Sequence, residues 1–124
     1  MNIAIKMAFI STFLLVLIDS IYLTYVGNYF NNQIQSIQSS PLKLNLYGAL
    51  IAYIFLSIGL NYFIIQRREP WYNAFLLGIV IYGVYEGTNY AILKNWSIYT
   101  VILDTLWGGI LFGLVTFYTY RLLI

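Results

Sequence analysis

The stretch IYTVILDTLWGGILFGLVTFYTY, Ile98–Tyr120, decides the fold. It runs 23 positions with one charged side chain, Asp104. A helix rises ~1.5 Å per residue, so about 20 apolar residues cross the ~30 Å hydrocarbon core of a bilayer. The run is far longer than a barrel strand of ~10 residues, and it lacks alternation at period two. Three further stretches read the same way: about Ala4 to Val26, Leu44 to Ile65 and Trp71 to Leu93. The expectation is an all-α, four-helix transmembrane bundle forming one integral membrane domain over residues 1–124, with spans at about 4–26, 44–65, 71–93 and 98–120.

Composition agrees. The 124 residues are 61% hydrophobic and 8% charged, too few charges to cover a small soluble domain. Mean hydropathy is +0.79. Without Cys or His there is no disulfide, thiol nucleophile, zinc finger or His-held iron. A net charge of +2 is too small for nucleic-acid binding, and nothing in the chain calls for a cofactor. Span 1 follows Lys6 as a signal peptide would, but it carries Asp19 and lacks a small-x-small cleavage site, so it reads as a retained anchor.

The connections are short. Asn28–Lys43 is polar, with Phe30, Ile34 and Ile37 at helical spacing, and reads as a loop with an interfacial amphipathic turn before Pro41. Gln66–Pro70 and Lys94–Ser97 are tight turns, with Trp71, Tyr72 and Trp96 suited to the headgroup layer. Lys6, Arg67, Arg68 and Arg121 fall on one side and Lys43 and Lys94 on the other, which places both termini in the cytoplasm. The localisation expected is a multi-pass protein of a cell or viral membrane, with the lipid bilayer as its first partner.

The informative residues are those foreign to lipid. Asp19 lies eight residues before Gly27, Glu86 eight before Lys94 and Asp104 seven after Ser97. At ~1.5 Å per residue all three sit roughly 10–12 Å below the outer boundary. Tyr82, Glu86, Asn89 and Tyr90 share a face of span 3 with Thr88 beside them, Asp19 aligns with Tyr22, and Asp104 aligns with Trp107. No Lys or Arg lies at that depth, so the layer either carries protons or faces a cation. Whether a metal binds there is left open. Gly83-x-x-x-Gly87 and Gly109-x-x-x-Gly113 are small-residue pairs that let helices approach closely, within the bundle or across a homodimer.

Tyr85-Glu86-Gly87-Thr88-Asn89-Tyr90-Ala91-Ile92-Leu93-Lys94-Asn95-Trp96, followed by Asp104-Thr105-Leu106-Trp107-Gly108, resembles the small four-span membrane proteins of domain-of-unknown-function family 2177. That family shows Tyr-Asp-Leu-Thr-Asn, Ala-x-Leu-Lys-x-Trp and Asp-x-x-Trp-Gly, and Asp19-Ser20-Ile21-Tyr22-Leu23 echoes its Asp-x-x-Trp-Leu. Glu86, Gly87 and Tyr22 stand where the family has Asp, Leu and Trp. The longer Glu86 side chain argues against a tightly matched metal site. The resemblance implies the same bundle and singles out the same acids, but it brings no activity.

The leading functional expectation is a cation- or proton-binding site built on Asp19, Glu86 and Asp104, supported by Tyr22, Tyr82, Thr88, Asn89 and Trp107, in a channel or transporter component. The alternative is a scaffold or assembly protein whose buried acids tie helices together. A lipid-acting enzyme or its accessory subunit ranks third: paired carboxylates serve acid–base chemistry, but no nucleophile–base motif or phosphate loop accompanies them. A retinal lysine and a potassium-channel filter are both absent.

Overall fold

The computed structural model describes all 124 residues, Met1–Ile124. It holds four helices and no strand: α1 Ile3–Gln38, α2 Leu46–Leu60, α3 Trp71–Ile92 and α4 Ile98–Leu123. A π-helical turn, Asn61–Ile65, extends α2.

Each helix starts on a side chain or ring that suits the position. The Asn2 carboxamide accepts from Ile5 N–H at 2.9 Å, Asn45 accepts from Tyr47 and Gly48 N–H, and the Ser97 hydroxyl accepts from Tyr99 N–H at 3.1 Å. Pro70 precedes α3, where its fixed φ costs nothing. Left-handed residues make the reversals: Ser39 at φ 61°, Arg68 at 57° and Asn95 at 65°.

Two expectations about boundaries are corrected. The segment from Asn28 to Gln38 is not a loop; it continues α1 unbroken to 36 residues, about 54 Å at 1.5 Å per residue. No proline interrupts it before Pro41, and Gln33 pins it to the turn between α3 and α4. The Gln33 amide donates to Asn95 C=O at 2.7 Å, while its Oε1 accepts from Ser97 N–H and from the Thr100 hydroxyl. α2 begins at Leu46 rather than Leu44 because Asn45 caps it.

α4 is the central element. Its Leu111, Phe112 and Val115 are fully buried with Leu15 of α1, Leu60 and Ile65 at the end of α2, and Ala74 of α3. α3 packs antiparallel along α4, and α1 packs on its other side. α2 packs mainly on α1 and stands off from α3 and α4.

The α3–α4 seam is closest where Gly78 meets Gly108. A Cβ on Gly78 would collide with the Gly108 carbonyl, one on Gly108 with the Tyr82 ring, and one on Gly109 with Ile79 and Phe75. Gly113 lies in ordinary contact with Trp71 and Phe75. The expected pair Gly83 and Gly87 is corrected: Gly83 meets only the Thr105 methyl at 3.6 Å, and nothing stands within 4 Å of Gly87. The GxxxG spacing is present, but Gly87 faces away from α4.

Only 21 of 124 residues are buried, so most of the apolar side chains point outward. Phe9, Phe13, Phe55, Leu76, Val84 and Leu106 are each at least half exposed. A shell of this kind calls for lipid around it. Three helices are long and apolar enough to cross a membrane: α1, α2 with its π extension, and α4. α3 matches them in length at 22 residues but carries Asn73, Glu86, Thr88 and Asn89.

Candidate functional site

The three acids lie on α1, α3 and α4, and all are buried: Asp19 at 8% exposure, Glu86 at 1% and Asp104 at 8%. The packing that sets their depth also turns them toward the bundle interior.

Asp19 is held from two directions. The Tyr53 hydroxyl of α2 donates to Oδ2 at 2.5 Å, and the Trp107 indole N–H of α4 donates to Oδ1 at 2.9 Å. Trp107 is fixed in turn by stacking on Tyr22, with ring centroids 4.2 Å apart and planes 4° from parallel. The Tyr22 hydroxyl then reaches Asp104 Oδ1 at 3.4 Å. Two residues of α1 and two of α4 are thereby interlocked.

Glu86 and Asp104 form a second unit across the α3–α4 seam. Their carboxyl groups adjoin each other in the buried layer. The other oxygen contact of Glu86 is with Trp96, whose indole N–H donates to Oε1 at 2.8 Å. None of the three acids accepts a hydrogen bond from Lys or Arg; the donors are tyrosine and tryptophan throughout.

The expectation of one convergent spot is therefore refined. The structure pairs Glu86 with Asp104 and holds Asp19 beside them, joined through Tyr22 and Trp107. No group of three acidic side chains is arranged to hold a metal ion.

Among the supporting residues, Tyr22 and Trp107 act directly on the acids. Tyr82 packs its ring on Gly108 and edge-on to Phe112, with centroids 6.5 Å apart. Asn89 lies one turn beyond Glu86 and its Nδ2 is buried without a partner. Thr88 faces outward and contributes nothing to the layer.

Two participants escaped the sequence reading. Trp96 is not an interface anchor: it is buried and serves Glu86, because left-handed Asn95 swings the turn back over the end of α3. Tyr53 is the other: its place eight residues after Asn45 sets it ~12 Å along the span, the level of the acids. Elsewhere on α2, Tyr47 is 81% exposed and Asn45 caps the helix.

A second polar set continues from Tyr53 toward the Gln66–Pro70 turn. Ser57 bonds Thr12, Asn61 bonds Ser11, and the Gln66 amide donates to Asn61 Oδ1 at 3.2 Å and to Ala4 C=O at 2.9 Å. Tyr53, Ser57 and Asn61 recur every four residues on one face of α2. Asn61 also opens the π turn, where Gln66 N–H reaches back five residues to its carbonyl at 2.9 Å.

A helical bundle with an apolar shell and buried, hydrogen-bonded acids defines an integral membrane protein. The chain belongs to the family described as predicted membrane protein (DUF2177), which matches residues 4–121. No curated protein and no solved structure matches it significantly.

Proposed function

We propose that the chain is a small proton-binding membrane protein, a component of a channel or transporter, with Glu86 and Asp104 as the site. The supporting observation is the adjoining carboxyl pair, which has only neutral donors around it. Two carboxylates in contact in a low-dielectric interior repel each other strongly, so one proton shared between them is the stable arrangement. Tyr22 and Trp96 steady the remaining charge without cancelling it, so the proton can be exchanged. Asp19 and Tyr53 lead from this pair to the hydroxyl and amide side chains of Ser57, Thr12, Asn61 and Gln66, a polar line along the α1–α2 seam.

All four helices cross the bilayer in this reading, α3 because it lies along α4. Both termini and the Arg67 turn face the cytoplasm, so the acids sit in the outer half. A Cys placed at Ser36 is then labelled by an impermeant reagent from outside the cell.

The test is reconstitution into liposomes holding an internal pH dye. Proton flux above that of empty vesicles is expected, and Glu86→Gln combined with Asp104→Asn abolishes it. No flux under either polarity of gradient contradicts the reading.

One observation favours a second reading, that of a scaffold. Asp19 ties α1 to α2 and α4 at once, a purely mechanical role. That reading expects the same substitutions to lower detergent stability while no flux exists to lose.

A further inference from the structure

Between α2, α3 and α4 lies a cavity of about 470 Å³. α2 supplies Ala52 and Phe55, α3 supplies Tyr82 and Tyr85, and α4 supplies Asp104. Phe55 and Tyr85 are 68% and 60% exposed on the flank of the bundle, so the cavity opens sideways, toward lipid. It exists because α2 leans on α1 and leaves α3 uncovered at this level.

The geometry points to this cavity as a binding site for lipophilic organic cations, with Asp104 as the counter-ion. The volume is that of a small-molecule site, which typically spans ~300–1,000 Å³. The wall is apolar except for one carboxyl group, and the tyrosine rings offer π faces that attract a cation. An inorganic cation needs several oxygens in place of its hydration shell, and this wall has one acid. An anion is repelled, and a neutral lipid forms no ion pair with the carboxyl. A cation with its charge spread over an apolar body is weakly hydrated, enters from the bilayer and neutralises Asp104. The inference deepens the proton-binding reading: the cation replaces the proton that Asp104 shares with Glu86, and that proton leaves to bulk water.

The experiment is equilibrium dialysis of the protein in lipid nanodiscs against tetraphenylphosphonium, with tetraphenylborate as the anion of matching shape. Saturable retention of the phosphonium above empty nanodiscs is expected at one per chain, with no saturable retention of the borate. Asp104→Asn weakens binding at least about tenfold, and so does Ala52→Phe, which fills the cavity from α2 without touching an acid. No saturable retention above empty nanodiscs, equal saturable retention of the borate, or binding unaltered by either substitution overturns the inference. Infrared detection of a protonated carboxyl group separates the two claims. If that band is present and the phosphonium does not bind, the proton site stands and the cation site falls. If the phosphonium binds as expected and the band is absent, the cation site stands and the proton reading falls.

Discussion

The α3–α4 seam and the α1–α2 seam hold helices together by opposite means. At the first, Gly78 and Gly108 bring backbones into contact, and Gly109 receives Ile79 and Phe75. At the second, contact is looser and polar: Asp19 with Tyr53, Thr12 with Ser57 and Ser11 with Asn61. In lipid no hydrophobic force drives helices together, so close packing and interhelical hydrogen bonds are the two means left. The contrast shows where the chain is rigid and where it can move. The packed seam fixes Glu86 against Asp104, and the polar seam lets α2 stand off and open a flank.

Substitutions at the two seams sharpen the contrast, beginning with the largest expected effect. Gly78→Val forces α3 off α4, because its side chain would overlap the Gly108 carbonyl. A loss of about 3 kcal/mol or more is expected, seen as loss of monodisperse protein in detergent. Normal thermal stability would show that the seam is not close-packed. Asp19→Ala strips the acceptor from both Tyr53 and Trp107. Each bond is worth ~1 kcal/mol, so a loss of about 2 kcal/mol is expected in reversible unfolding in mixed micelles. A Tyr53→Phe, Asp19→Ala double-mutant cycle with no coupling energy would remove α2 from the account. Gly87→Ala lies at the other extreme. With nothing near it, the change stays within about 0.5 kcal/mol of the parent, and a larger loss would show a packing partner outside this chain.

Much of this was legible in the sequence, for physical reasons that can be named. Helix rise converts a residue offset into depth, so counting from Gly27, Lys94 and Ser97 sets Asp19, Glu86 and Asp104 in one layer. Helical spacing sets Tyr22 on the face of Asp19 and Trp107 on the face of Asp104, but the structure crosses the pairs, Tyr22 to Asp104 and Trp107 to Asp19. Rotation and long-range anchoring were not legible. GxxxG spacing does not reveal which way a helix turns: the close approach is at Gly78 and Gly108, while Gly87 has nothing near it. Trp96 looked like a headgroup residue because only the backbone angle at Asn95 sends it inward. The length of α1 depends on Gln33 meeting Asn95, Ser97 and Thr100, more than sixty positions away. The cavity at Asp104 arises from how α2 leans, which no local pattern encodes.

The central claim is that Glu86 and Asp104 hold one proton between them, and infrared spectroscopy reads this directly. In membranes at neutral pH the protein is expected to show the carbonyl stretch of a buried carboxylic acid, shifted in heavy water and absent from the Glu86→Gln, Asp104→Asn protein. A spectrum with only carboxylate bands would mean that both groups are ionised, and the site as described would not exist.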